Sequence, residues 1–111
     1  MSRCVTLRGM LARVSRYEVP SDRIDDAVET FGQAAAEVEG LEGFAGGYLL
    51  VDHEDGRTMT LTLWENQATL ENSERATGKL RREASGSVGG SVLSVEKFEV
   101  ARELPGSSSG Q

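Results

Sequence analysis

Arg13, Tyr17, Tyr48 and Trp64 are the residues of this chain best suited to chemistry. An arginine can hold an anionic or phenolate oxygen with a planar fork of donors. A tyrosine hydroxyl can donate to a carbonyl. A tryptophan can stack on an aromatic substrate, or fill a core and an interface. Together these groups would stabilise negative charge developing on an oxygen. Other chemistries lack their parts. His53 is the only histidine and sits beside Glu54, Asp55 and Gly56, where an exposed loop histidine is expected. A metal site needs a cluster of ligands, and none is evident, so neither metal nor cofactor is expected. No nucleophile and base stand at a supporting spacing. Gly46-Gly47 precedes a strand and lacks the Gly-Lys-Ser/Thr ending of a phosphate loop, which suits close strand packing or a bulge.

The elements that would position these residues can be read from the pattern. Met10 to Val19 alternates as a strand and stops at Pro20, which cannot donate to a ladder. Ser21 or Asp22 can cap a helix, and Asp25 and Asp26 favour its N-terminus. Ile24, Val28, Phe31, Ala35 and Val38 then form one stripe of an amphipathic helix that Gly40 ends. Phe44 to Asp52 reads as a second strand. Asp55-Gly56 is a hairpin signal, and Thr58 to Trp64 alternates as a third strand. Asn66 is a natural cap for a second helix with Leu70, Thr77, Leu80 and Ala84 inward, broken by Gly86, Gly89 and Gly90. Ser91 to Val100 completes the order βαββαβ.

That order predicts an α+β, ferredoxin-like fold: a four-stranded antiparallel sheet with both helices on one face. The aliphatic set Ala12, Val14, Leu49, Val51, Met59, Leu61, Leu63, Leu93 and Val95 is expected beneath the helices. The other set holds Arg13, Ser15, Tyr17, Tyr48, Leu50, Thr60, Thr62, Trp64, Ser94, Glu96 and Phe98. It is too apolar for a plain solvated surface and too polar for a dry core. Two copies meeting over it would enclose a space lined by hydroxyls and rings, which is the composition of a small-molecule pocket. Arg13 and Glu96, on neighbouring central strands, could form an ion pair there.

Composition sets the limits. The chain has 111 residues, enough for one domain with a small core. Aromatics are only 5%, so each ring carries an unusual share of the packing. A net charge of -6 argues against nucleic acid and against an anionic membrane surface. Cys4 is the single cysteine and has no partner for a disulfide, which suits a reducing cytoplasm. The N-terminal residues lack the apolar run of a signal peptide, and no segment approaches a membrane span. A cytoplasmic protein is expected, with residues 1–9 as an extension, 10–103 as the domain and 104–111 as a flexible tail.

Three segments carry a family resemblance: Pro20-Ser21-Asp22-Arg23, Gly43-Phe44-Ala45-Gly46-Gly47-Tyr48, and Leu63-Trp64-Glu65-Asn66-Gln67-Ala68-Thr69-Leu70. Together they resemble the antibiotic biosynthesis monooxygenase family of dimeric α/β-barrel proteins, over roughly Met10 to Arg102. Trp64 matches the tryptophan position of both active branches of that family. The haem-degrading branch has a helix histidine where this chain reads Ser73-Glu74-Arg75-Ala76, and a first-strand asparagine where it reads Arg13-Val14-Ser15. The resemblance therefore implies cofactor-independent oxygenation of a small aromatic or quinol-type substrate in the cavity of a homodimeric barrel. On that reading Trp64, Arg13 and Tyr48 are the catalytic candidates. Tyr17, Thr60, Thr62, Glu96 and Phe98 are the substrate-binding ones. The competing reading is a non-catalytic dimer that binds a small ligand or serves as a scaffold.

Overall fold

The computed structural model describes residues 9–106. Cys4, most of the predicted N-terminal extension and residues 107–111 of the predicted tail lie outside the described residues. The elements run β1 (Leu11–Glu18), a 3-10 turn (Ser21–Arg23), α1 (Ile24–Glu39), β2 (Phe44–Asp52), β3 (Arg57–Trp64), α2 (Gln67–Ser87) and β4 (Ser91–Glu99). The strands form one antiparallel sheet in the order β2-β3-β1-β4. Both helices pack against each other and against the sheet. This is the ferredoxin-like α+β fold that the sequence predicts.

Local chemistry explains the element boundaries. Pro20 accepts from Arg23 N at 2.8 Å and opens the 3-10 turn. The turn and α1 take no side-chain cap, so neither Ser21 nor Asp22 plays that part. Asn66 does cap α2: its Oδ1 accepts from Thr69 N at 2.9 Å, and Thr69 Oγ1 accepts from Asn66 N at 3.4 Å. That reciprocal pair satisfies two donors at the start of the helix. Gly86 lies inside α2 rather than ending it.

The β2–β3 hairpin has a four-residue loop between the paired Asp52 and Arg57. Gly56 supplies the left-handed conformation at φ +72°, a region that costs glycine nothing. Arg57 donates to Asp52 Oδ2 from Nη2 at 2.6 Å and from Nε at 3.1 Å. These bonds hold the Asp52 carboxyl below the usual carboxylate range and raise Arg57 in turn.

The face assignment needs correction. Cross-strand pairs share a face, and the register sets Arg13 against Thr62, Ser15 against Thr60, and Tyr17 against Thr58. It also sets Leu49 against Thr60 and Val51 against Thr58. Arg13 and Tyr17 reach the helices: Arg13 bonds to α2, and the Tyr17 ring meets Phe31 of α1 at 4.8 Å, edge to face. So the helices cover Arg13, Ser15, Tyr17, Thr60, Thr62, Trp64, Leu49 and Val51. Val95, opposite Ser15, is on the same side of the sheet but stays 40% exposed. The outer face carries Ala12, Val14, Met59, Leu61 and Leu63, together with Tyr48, Leu50, Glu96 and Phe98. The predicted alternation of β1 and β3 is right, but its direction is reversed. Apolar character fails to choose the inward face because α2 supplies polar partners for what it buries.

The packed core fills one end of the space between sheet and helices. Tyr17, Val19, Ile24, Ala27, Phe31, Ala84 and Val88 form it, with Ala34, Leu49, Val51 and Val92 against it. The other end is left open.

Candidate functional site

A cavity of about 420 Å³ occupies that open end, inside the subunit and between the sheet and both helices. Arg13, Ser15 and Tyr17 of β1, Leu49 of β2, and Thr60 and Thr62 of β3 form its floor. Phe31, Ala35 and Val38 of α1 and Thr77, Leu80 and Arg81 of α2 form its walls. Apolar surface with a few converging polar groups is the usual make-up of a small-ligand site.

Room for the cavity comes from small residues on β2. The β2–β3 register shifts between Phe44 and Gly46, which makes the predicted bulge. A Cβ at Gly47 would run into the Leu61 carbonyl oxygen, so the two strands can approach there only because it is glycine.

Arg13 is only 3% exposed. Its Nη1 donates to Thr77 Oγ1 at 2.9 Å, and its Nη2 donates to Leu70 O at 2.8 Å and Ser73 Oγ at 3.2 Å. Nη2 also lies 3.0 Å from Glu74 Oε1. Arg13 Nε is buried and has no partner among the described residues. Burial lowers the Arg13 pKa from its usual value, Glu74 opposes this, and the charge of Arg81 adds to the lowering. An arginine starts so far above neutrality that it stays charged. The expected Arg13–Glu96 pair does not form; Glu96 accepts from Arg16 Nε on the outer face at 3.1 Å.

Tyr17 places its hydroxyl 3.3 Å from Thr60 Oγ1. Burial raises its pKa above 10.0, against smaller opposing effects from Thr60, Ser15 and Arg81. At neutral pH it is therefore an uncharged donor, not a phenolate base.

Trp64 is fully buried and is not part of the cavity lining. It packs edge to face on Phe44 at 5.5 Å, and the Arg13 guanidinium lies 5.5 Å from its ring centre. Its Nε1 donates to Thr62 Oγ1 at 3.0 Å. Trp64 thus touches both Arg13 and Thr62 from behind the cavity. Tyr48 borders the cavity by chain position, yet it pairs with Leu61 on the outer face and is 70% exposed. Phe98 and Glu96 stand on that outer face as well, away from the cavity. The structure therefore brings together Arg13, Tyr17, Thr60 and Thr62, and separates Tyr48, Glu96 and Phe98 from them.

Arg81, Ser73 and Thr77 complete the site. Arg81 Nη1 lies 3.4 Å from Glu74 Oε2, and its Nη2 lies 3.5 Å from Thr77 Oγ1. Neither Ser73 nor Arg81 is among the site candidates that the sequence suggests. Their signal was the four-residue spacing of Ser73, Thr77, Arg81 and Ser85, a polar stripe on one face of a helix. His53 is exposed on the hairpin, 3.5 Å from Asp25 Oδ1. Among the described residues no group of three or more His, Cys, Asp or Glu side chains could hold a metal.

The fold matches that of known α+β proteins. A cofactor-independent oxygenase from Streptomyces nogalater, SnoaB, superposes with a TM-score of 0.68 at 16% identity, over 88% of this chain and 99% of that one. A Caulobacter crescentus protein, provisionally described as an antibiotic biosynthesis monooxygenase, gives 0.67 at 18% identity over 91% and 98%. A conserved protein of Methanosarcina mazei gives 0.70 at 11% identity over 86% and 97%. The chain thus has the fold of the antibiotic biosynthesis monooxygenases, as the resemblance of its three segments implies. By sequence it is 28% identical over 94 residues to the uncharacterized protein Rv2557 of Mycobacterium tuberculosis. The match takes in 84% of this chain but only 42% of that relative's length. No protein-family model matches the chain. No helix among the described residues is long and apolar enough to cross a membrane.

Proposed function

We propose that this protein is a monooxygenase-like enzyme that works without a cofactor on a small aromatic or quinol-type substrate. The cavity between sheet and helices is the observation that carries this reading. Its apolar walls suit a ring system, and Arg13, Tyr17, Thr60 and Thr62 offer polar groups at one side. In such a reaction the substrate supplies all four electrons that O2 takes up. One oxygen atom of O2 enters the ring system as a carbonyl, and the other leaves as water with two substrate hydrogens. The residues here would hold the substrate oxygen as negative charge builds on it, through the charged Arg13 and the neutral Tyr17 hydroxyl. Trp64 would act through Arg13 and Thr62 rather than on the substrate. The outer sheet face supports a homodimer, because Tyr48, Leu50, Leu93 and Phe98 are exposed there.

A second reading is a ligand-binding dimer without turnover. It is favoured by Tyr17, which keeps its proton at the cavity, and by the exposure of Glu39, an acid of the lining. Oxygen uptake with 1,4-dihydroxynaphthalene and related hydroquinones separates the two. The enzyme reading expects uptake above autoxidation, at one O2 per substrate, and its loss in Arg13→Gln. Hydroquinones that bind without any such uptake would leave the binding reading in its place.

A further inference from the structure

Two guanidinium groups line the cavity, and both are buried: Arg13 is 3% exposed and Arg81 9%. They share one carboxylate, Glu74, which is 53% exposed at its side chain. Glu39, an acidic residue of the lining, is exposed at the last position of α1. Solvent screens both acids better than it reaches the arginines. Burying a cation without full compensation is costly, and an anion brought by a ligand offsets that cost.

The two arginines are not equally free. Arg13 spends its terminal nitrogens on Thr77, Leu70, Ser73 and Glu74 at 2.8–3.2 Å. Arg81 has five donor hydrogens, and its contacts to Glu74 and Thr77 are long, at 3.4 and 3.5 Å. It also acts on the Tyr17 hydroxyl, through its charge and as a hydrogen-bond donor. The same lining holds the apolar side chains of Phe31, Val38, Leu49 and Leu80.

We infer that the cavity takes an amphiphilic monoanion, with its acidic oxygen seated on Arg81 and its apolar ring body against Phe31, Val38, Leu49 and Leu80. This rests on reading the cavity as a ligand site and goes beyond it in fixing the charge of the ligand and the residue that reads it. Arg13 is then the cation braced against the helix beside the reacting oxygen, and Arg81 is the one that seats the ligand's acidic group. A charge-assisted pair in a mostly buried site is worth more than a neutral hydrogen bond.

The test compares 1-hydroxy-2-naphthoate with its methyl ester by titration calorimetry on the full chain. The acid should bind about ten- to a hundredfold more tightly than the ester. In Arg81→Gln that preference should fall to about twofold or less, while ester affinity stays within about twofold; Arg81→Lys should recover part of the preference. Equal binding of acid and ester by the unaltered protein overturns the charge assignment and leaves the cavity reading intact. A full preference retained in Arg81→Gln overturns the role of Arg81. Failure of both compounds to bind removes the ligand site itself, and the inference with it. The comparison on the unaltered protein decides the charge even if Arg81→Gln does not fold.

Discussion

Tyr17 buries its hydroxyl at the boundary between core and cavity, and this has a consequence at high pH. In the unfolded chain a tyrosine loses its proton near pH 10. In the folded chain burial raises that pKa. Between the two values the folded state holds one proton more than the unfolded one, so stability falls as pH rises. Below about pH 10 the effect is absent, because both states are protonated. Urea titrations from pH 9 to 11 should show this loss, and Tyr17→Phe should lack that share of it. The variant keeps the ring against Phe31 and gives up the hydrogen bonding of the hydroxyl, to Thr60 first, at a cost of about 0.5–1.5 kcal/mol per bond. An unchanged slope in Tyr17→Phe would mean that the hydroxyl is not held as described. The sequence shows Arg13 and Tyr17 as polar residues of an alternating strand. It does not show that they point inward, because that depends on Ser73, Thr77 and Arg81, which come far later in the chain.

Among the elements, α2 decides the site. It begins two residues after β3 ends, and the Asn66–Thr69 cap fixes where its first turn lies. Ser73, Thr77 and Arg81 then face β1 in successive turns. Asn66→Ala should cost about 1 kcal/mol of stability. If the cap also sets helix position, naphthoate affinity should fall in the same variant. Thermal unfolding and calorimetry read the two effects separately, and an unaltered melting temperature would show that the cap contributes nothing. The strand and helix bounds are legible in the sequence because alternation, Pro20, Asn66 and Asp55-Gly56 act locally. The choice of face is not legible. β1 and β3 each carry one aliphatic and one hydroxyl-rich side, and only tertiary partners say which is covered. The cap of α1 fails for a related reason: the chain leaves Pro20 through a 3-10 turn, so Ser21 and Asp22 sit in the turn and not before it.

At the scale of the molecule, the sheet turns an apolar face outward. Tyr48, Leu50 and Phe98 are among its exposed residues, with Met59, Leu61 and Leu63 between them. A second copy on that face is part of the proposed function. Leu50→Asp would place a charge within the apolar patch, and it should shift the protein toward monomer by at least tenfold in dissociation constant. Sedimentation velocity across a dilution series checks this. A protein that is monomeric before the change would remove the dimer from the proposal. Arg81 and Tyr17 lie on the other side of the sheet, so naphthoate binding reports on a distinct surface.

The sheet also joins the two ends of the domain. Val100 N donates to Met10 O at 2.9 Å, and Leu11 pairs with Glu99. The first strand lies between the third and the last, so the centre of the sheet closes only when both ends of the sequence are present. A short bridge from Arg102 back to Gly9 would need to cross no other strand. The chain could then be cut open at the hairpin around Glu54 without changing the order of its neighbours in space. A circle with a movable opening is thus implicit in this fold, closed where Met10 and Val100 meet.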